Sequence, residues 1–462
     1  MPTIKTIHLE ELPYSPDSST LFERIRVMPG AVFLDSAHPF STEGRYDILA
    51  ADPTFQLSFN PYATGQAADV DAFFKELRKA HNEFCGSVVN PSEDIPFCGG
   101  LLGYLSYDTG RVLEGLAPSG NLETGLVESN IGFYPWCILQ DHLLRRCLFV
   151  ALPHCKKSAR KRVLDLLREP LLDSTHEMDF TLIQPFQAEL QESEYRGALA
   201  QIQQYIRAGD CYQVNFAQRF SSNYLGDPWL AYLHLRKVAA VSYSAFIDLG
   251  EKALLSVSPE QFVRLRGNRV ETRPIKGTNP RGKSAEIDKI LADQLRNSSK
   301  DRAENLMIVD LLRNDLGKTC TPGSIRVDKL FELQQLPNVH HLVSTISGDL
   351  LEGKTALDLL QTCFPGGSIT GAPKHRAMQI IDELEHDTRG SYCGSVVYIS
   401  ADGNMDSNIA IRTLQCNDGE ISCWGGGGIV SDSDWQLEYR ETHDKVGNLL
   451  RALQDQFGAT GN

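Results

Sequence analysis

No apolar run in the chain approaches the roughly 18 residues that a membrane-spanning helix needs, which argues against a membrane protein. Met1–Glu10 lacks the basic-then-apolar layout of a signal segment. Positive charge is in short supply. Forty-five Lys and Arg stand against 59 Asp and Glu, for a net charge of −14. A field of that sign works against nucleic acid and anionic membranes, and leaves any anionic substrate to be captured by local cations or a metal. Paired cysteines are missing too. The eleven cysteines are odd in number, scattered singly from Cys85 to Cys423, and never spaced Cys-x-x-Cys. That sets aside a disulfide framework and a zinc site, and leaves reduced thiols in a cytoplasmic protein. There is no internal repeat and no low-complexity tract.

What is present reads as a soluble, globular chain, 42% apolar and 23% charged. Its 462 residues suggest two large regions. In the first 150 residues, short apolar runs alternate with turns: Ala31–Leu34, Phe97–Tyr104 and Trp136–Leu139 read as strands. Lys156–Arg168 is basic and contains leucines, as a solvated helix face would. Glu169–Gln187, with Pro170 and Pro185, reads as a connector between regions 1–168 and 188–455. Beyond it, Tyr195, Leu199, Ile202 and Ile206 recur at helical spacing up to Gly209. Lys300–Asp315, Pro373–His386 and Trp435–Leu453 are predicted helices. Cys211–Phe220, Ser244–Leu249, Ser391–Ser400, Ile409–Cys416 and Glu420–Trp424 are predicted strands. The mixture predicts an α+β fold.

Four constellations could carry chemistry. Asp301 and Glu304 share a helix face, as do Glu438 and Glu441, with Lys445 one turn on. Two acidic pairs could build an oxygen-only Mg²⁺ site, although solvated helix faces have the same spacing. Gly425-Gly-Gly-Gly428 could offer backbone N–H groups to an anion or form a plain tight turn; no Gly-Lys-Ser/Thr follows, so it is not a P-loop. In Phe364-Pro-Gly-Gly-Ser-Ile-Thr-Gly-Ala-Pro-Lys374, Thr370 could cap a helix whose first turn contains Pro373, leaving its N-terminus open to an anion. In Pro274-Ile-Lys-Gly-Thr278, Lys276 could be a nucleophile or base, though an isolated lysine is far more often a surface residue.

In order, Ser258-Pro-Glu260, Pro274–Thr278, Asp301–Asp315, His340-His-Leu-Val-Ser344, Phe364–Lys374, Gly425–Val430 and Glu438-Tyr-Arg-Glu-Thr442 closely resemble the chorismate-utilising enzymes. That family includes the first components of anthranilate synthase and aminodeoxychorismate synthase, and the isochorismate and salicylate synthases. The resemblance is dense over about Glu192–Leu450 and extends to the first 150 residues. It implies a large α/β sandwich of two packed antiparallel sheets with outer helices, binding chorismate through Mg²⁺. Glu304 and Glu441 would hold the metal, with Glu438 and Asp301 assisting; the family usually has Glu where Asp301 stands. The Gly426 and Gly428 amides and Lys445 would meet the ring carboxylate. Tyr398 and Arg412 would meet the enolpyruvyl carboxylate. His341 would lie beside the ring and Thr370 near a ring substituent. Glu260 would be the general acid for the departing C4 hydroxyl.

Within the family, Lys276 stands where anthranilate synthases typically carry alanine and aminodeoxychorismate enzymes carry lysine. The resemblance then implies a covalent Lys276 adduct at C2, with ammonia adding at C4 to give 4-amino-4-deoxychorismate for p-aminobenzoate and folate. Gln213 stands near the position where isochorismate and salicylate synthases place a lysine base; a neutral amide cannot activate water, which favours ammonia. Phe33-Leu-Asp-Ser36 and Arg45-Tyr-Asp47 resemble the family's tryptophan pocket, so Ser36, Arg45, Tyr46 and Asp47 would bind tryptophan. No Gly-x-Cys-x-Gly nucleophile loop is present. Ammonia would therefore come from solution or a separate glutamine amidotransferase subunit. The alternatives are anthranilate synthase component I, against which Lys276 argues, and a non-catalytic tryptophan-sensing scaffold, against which the retained Glu260, Lys276, Glu304 and Glu441 argue.

Overall fold

The computed structural model describes residues 5–41, 43–63, 69–86, 88–116, 126–169, 179–336 and 339–458. Two large antiparallel sheets lie face to face. The first runs, strand beside strand, through Thr181–Leu182, Gln213–Leu225, Glu420–Ile429, Thr413–Asn417, Ala253–Ser258, Tyr243–Asp248, Val32–Asp35, Tyr46–Ala50, Trp136–Asp141, Arg146–Ala151 and His8–Leu12. The second runs through Ile275–Pro280, Val339–Asp349, Arg269–Arg273, Gln261–Arg266, Met405–Ser407, Ser395–Ser400, Gly100–Leu105, Ser129–Tyr134 and Phe55–Phe59.

The unbroken apolar runs of the sequence follow from this layering. Successive residues of a strand face opposite sides. In the first sheet Val32, Ile48, Leu139 and Leu254 belong to the core between the sheets. Their neighbours Phe33, Leu49, Ile138 and Leu255 belong to a second core on the other face. There they meet Phe22, Trp229, Tyr232 and Leu453 from three helices. A strand covered on both faces has no polar side to show, so alternation disappears.

Both sheets draw on both ends of the chain. Val32–Asp35 pairs with Tyr243–Asp248, and Gly100–Leu105 pairs with Ser395–Ser400. A division at 169–187 therefore does not divide the sheets. Residues 170–178 of that connector lie outside the described residues. The helix Glu192–Ala208 buries Tyr195, Leu199 and Ile202 and stops at Gly209, whose φ of 84° is the left-handed conformation that ends helices. The helices Ser299–Gly317, Lys374–Leu384 and Trp435–Phe457 form near their predicted positions. Ile409–Arg412 departs from the predicted strand: pairing begins at Thr413, because Arg412 has a φ of 50°.

Candidate active site

Lys276 lies on Ile275–Pro280, the outermost strand of the second sheet's main path. Between Ile275 and Thr278 the pairing with Val339–Asp349 slips. Gly277 sits in the slip with a φ of 89°; a Cβ there would come within 2.9 Å of Leu295 and 3.1 Å of Asp301. The bulge re-aims its neighbour. Lys276 Nζ consequently lies 3.2 Å from Glu304 Oε1, on the helix Ser299–Gly317, and 3.4 Å from the Ser368 carbonyl.

Glu260 is buried, 6% exposed, and its carboxylate accepts a 3.3 Å hydrogen bond from Ser368 Oγ. Ser368 thus bridges the carboxylate and the lysine. Burial pushes the Glu260 carboxyl up to about 7, against the opposing pull of Lys276. Burial acts on Lys276 in the other sense, lowering it, but the Glu304 and Glu260 carboxylates prevail and hold its pKa above the ordinary value. His341 stands opposite Thr278, whose hydroxyl lies 2.8 Å from Nδ1, while Nε2 has no hydrogen-bond partner. Burial, aided by Arg412, pulls its pKa down to about 4, so the imidazole is neutral at pH 7. Arg412 in turn feels the Glu260 charge, which places it on this side of the fold.

The glycine run is not a turn but the end of the strand Glu420–Ile429. Past Cys423 that strand has outrun its neighbour Thr413–Asn417, so one edge is unpaired. Gly426 and Gly428, two apart, turn their main-chain groups the same way. The Gly426 carbonyl accepts from Lys445 Nζ at 2.7 Å. Side chains are excluded by crowding: a Cβ at Gly425 would meet the Thr442 carbonyl at 2.2 Å, and one at Gly428 would meet Gln213 Nε2 at 2.4 Å and Glu304 Oε1 at 3.2 Å. A Cβ at Gly427 would reach Glu438 Oε2 at 3.4 Å and Glu441 Oε1 at 3.5 Å. Glu304 thus stands beside Gly428, and Glu438 and Glu441 beside Gly427. Lysines pair with two of them, Lys276 with Glu304 at 3.2 Å and Lys445 with Glu441 at 2.7 Å, while Glu438 accepts from Ser433 Oγ at 2.7 Å with Lys300 at 4.0 Å. Among the described residues no three acidic or imidazole groups already surround a common metal position. The donor set nonetheless suits a hard divalent cation, being all oxygen. The buried Gln213 amide beside Gly428 has neither its oxygen nor its nitrogen hydrogen-bonded to the chain. Asp301 packs against Gly277, on the same helix as Glu304 but toward its start.

Two sequence assignments change. Thr370 caps no helix: it follows the short turn Gly367–Ile369, its hydroxyl donates to the Gly366 and Gly367 carbonyls, and the next helix begins at Lys374 behind Pro373. The glycines ahead of it serve close packing, since a Cβ at Gly367 would meet Leu311 at 2.5 Å. Ser368, which the sequence reading passed over, is the hydroxyl that reaches Glu260; its even spacing from Thr370 was the available signal. Tyr398 does not join Lys276. Its register opposite Leu102 and Asp406 points it to Phe97 and Arg266, whose guanidinium donates to its hydroxyl at 2.7 Å. Tyr392 lies parallel to Trp424 of the glycine strand at 6.0 Å.

Tyr398 instead lines a separate cavity of about 970 Å³, with Ser36, Arg45 and Tyr46. Asp47 is fully buried outside that lining and accepts from the Ser36 N–H at 2.7 Å and Oγ at 2.6 Å. Arg45 is fastened to Asp141 and Asp94, each at 2.7 Å, and its guanidinium lies over the Tyr46 ring.

A family model described as chorismate binding enzyme matches residues 36–451. The chain belongs to this family. Aminodeoxychorismate synthase component 1 of Klebsiella aerogenes is 42% identical over 96% of this chain and 98% of its own length. The protein of the same name from Escherichia coli strain K12 is 42% identical over 94% and 95%. Among solved structures, anthranilate synthase component I from Streptococcus pneumoniae TIGR4 is 33% identical and superposes with a TM-score of 0.77, covering 89% of this chain and 93% of that one. The sandwich is therefore a chorismate binding enzyme fold, and the convergence of Lys276, Glu260 and Glu304 lies within the matched residues.

Proposed function

We propose that the chain converts chorismate and ammonia to 4-amino-4-deoxychorismate, as component I of an aminodeoxychorismate synthase. The observation that carries this reading is Lys276, whose ammonium group lies 3.2 Å from Glu304 and 3.4 Å from the Ser368 carbonyl, with Glu260 across Ser368. The Lys276 amine, once deprotonated, forms a bond to ring C2 as both conjugated ring double bonds shift toward C4 and the C4 hydroxyl leaves. Glu260 supplies the proton that lets it leave as water, a task suited to a carboxyl that stays partly protonated near neutrality. Ammonia then bonds to C4, both double bonds return, and the C2–N bond to Lys276 breaks. The sum is chorismate plus ammonia giving the para amine plus water. The neutral His341, with its free Nε2, would contact the ring, and Arg412 the enolpyruvyl carboxylate.

Glu304, Glu438 and Glu441 would hold Mg²⁺, with Asp301 nearby. When bound, the ion supplies a positive anchor for the ring carboxylate, which a chain of net charge −14 otherwise finds only at isolated side chains. Lys445 and the Gly426–Gly428 edge would complete that anchor. Ammonia would come from a separate glutamine amidotransferase subunit. Tryptophan would occupy the Ser36–Arg45–Tyr46 cavity, with Asp47 holding Ser36 in place. A cytoplasmic location agrees with eleven cysteines that are all free and buried, and no described helix is long and apolar enough to cross a membrane.

The reaction is tested by incubating purified protein with chorismate, Mg²⁺ and ammonium and identifying the amine position. Aminodeoxychorismate, trapped as p-aminobenzoate by an added lyase, is expected. Anthranilate as sole product would overturn the assignment.

A further inference from the structure

The proposed reaction leaves one dense group of buried charge without a role. The helix Tyr107–Leu113 packs beside residues 381–389, and between them is a cavity of about 10 Å³. That is room for roughly one water-sized guest. Its walls carry four carboxylates, Asp108, Asp382, Glu385 and Asp387, against two guanidiniums, Arg111 and Arg389. Arg111 pairs with Asp382 at 2.6 Å, and Arg389 with Glu385 at 2.7 Å. Asp387 meets Arg219 at 3.2 Å, but Arg219 is shared with Glu420. Asp108 accepts from the Tyr62 hydroxyl at 2.6 Å and the Gly390 N–H at 2.8 Å and shares Arg111 at 3.6 Å. Four carboxylates against two guanidiniums leave the lining with formal negative charge in excess.

A second observation points to a guest. Tyr107 lines the cavity, is 1% exposed, and its hydroxyl has no hydrogen-bond partner. A buried hydroxyl left unsatisfied is unfavourable, and native proteins rarely keep one without a small polar partner. Excess carboxylate and a free hydroxyl oxygen together select a cation that donates hydrogen bonds. The position is also suggestive. The Arg389 guanidinium that walls the cavity donates on to the Ile369 carbonyl at 3.0 Å and the Asn215 carbonyl at 2.6 Å. Ile369 follows Ser368, and Asn215 is the strand partner of Gly428.

We propose that this cavity binds one ammonium ion and holds it one guanidinium away from the chorismate site. Its purpose, storing the nucleophile in its protonated form, rests on the reaction proposed above; the binding itself rests on the cavity alone. Burial pushes the Asp382 carboxyl up to about 7, opposed by Arg111 and reinforced by Asp108 and Glu385.

Two measurements on the full chain separate these parts. In the absence of chorismate, ammonium chloride raises the melting temperature more than equal potassium or sodium chloride, and Tyr107→Phe removes the difference. In turnover at saturating chorismate and Mg²⁺, Tyr107→Phe and Asp382→Asn raise the KM for ammonium about three- to tenfold, as loss of a hydrogen bond to a charged guest does, while kcat and the chorismate KM stay within about twofold. Tyr107→Phe keeps the packing, so it remains informative if Asp382→Asn folds poorly. Equal stabilisation by potassium would make this a metal-cation site and overturn the proposal. So would an ammonium KM unmoved in a folded Tyr107→Phe protein, or absence of any salt-selective effect. If the chain made no para amine while ammonium-selective stabilisation persisted, the reaction would fail and the site would stand.

Discussion

Lys276 Nζ and Glu304 Oε1 lie 3.2 Å apart, so the proposed nucleophile and a proposed metal ligand hold one another. Each is unavailable for its other task while the pair lasts. A divalent ion at Glu304 would displace the ammonium group and leave Lys276 facing Glu260 and Ser368. Removing the competitor should strengthen metal binding: Lys276→Met is expected to bind Mg²⁺, or Mn²⁺ as a spectroscopic probe, about tenfold more tightly, the scale of one charged hydrogen bond. Calorimetry without substrate reads this directly, and the same variant should lose most of the para product. Unchanged or weaker metal affinity would show that the two do not compete.

Glu260 sets a pH dependence. Its pKa is raised to about 7 chiefly by burial, opposed by Lys276, a backbone hydrogen bond, Ser368 and Lys445. The acid form is the working form of Glu260, so its contribution to kcat should fall as pH rises through about 7, set against the gain that deprotonation of Lys276 brings as pH rises. His341, lowered to about 4, is already neutral across this range and adds no limb. Glu260→Gln should slow turnover by about 10²–10⁴ and abolish the fall. A decline that survives in Glu260→Gln would assign it to another group.

The glycine strand makes a paired prediction. A methyl at residue 428 would stand 2.4 Å from the buried Gln213 amide, whereas one at residue 427 meets nothing closer than 3.4 Å. Gly428→Ala should therefore disturb Gln213 and Glu304 and reduce kcat/KM by an order of magnitude or more, since overpacking costs about 1–3 kcal/mol. Gly427→Ala should stay within a few-fold by the same measure. Equal behaviour of the two would mean that crowding is not what selects glycine there.

Arg389 fixes the loop that carries Ser368. It spans Glu385, the Ile369 carbonyl and the Asn215 carbonyl, and Glu385 in turn accepts from the Ala217 N–H at 2.9 Å. A lysine has the charge but not the planar fork. Arg389→Lys should lower kcat about tenfold or more with a smaller change in the chorismate KM, because misplacement of the acid acts on the transition state. Added guanidinium should partly restore Arg389→Gly. A purely structural role would lower the melting temperature without splitting kcat from KM.

The helices were readable in sequence because each buries one stripe: Tyr195, Leu199 and Ile202 are both the periodic residues and the buried ones. Strands showed as apolar runs, but their partners did not, since pairing such as Phe33 with Phe246 joins residues far apart in the chain. In the site, the structure puts Glu304 beside Lys276 and Gly428, and Glu438 and Glu441, three apart on one helix, beside Gly427. Loop residues translated poorly. Ser368 and Thr370 are both hydroxyls two apart, and only backbone geometry decides which meets Glu260. Tyr398's side of its sheet is fixed by its pairing with Leu102 and Asp406, which periodicity cannot supply. Asp382 and Tyr107 gave no signal at all, because their neighbourhood is assembled from segments more than 270 residues apart.

The ribosome meets a difficulty in this topology. Val32–Asp35 cannot complete its ladder until Tyr243–Asp248 has been made, and Gly100–Leu105 waits for Ser395–Ser400. For most of synthesis the nascent chain carries unsatisfied strand edges with apolar residues on both faces, the kind of surface that recruits foreign strands. Contacts this distant in sequence also slow closure once the chain is released. Separate expression of residues 1–168 should thus yield aggregate rather than a foldable unit.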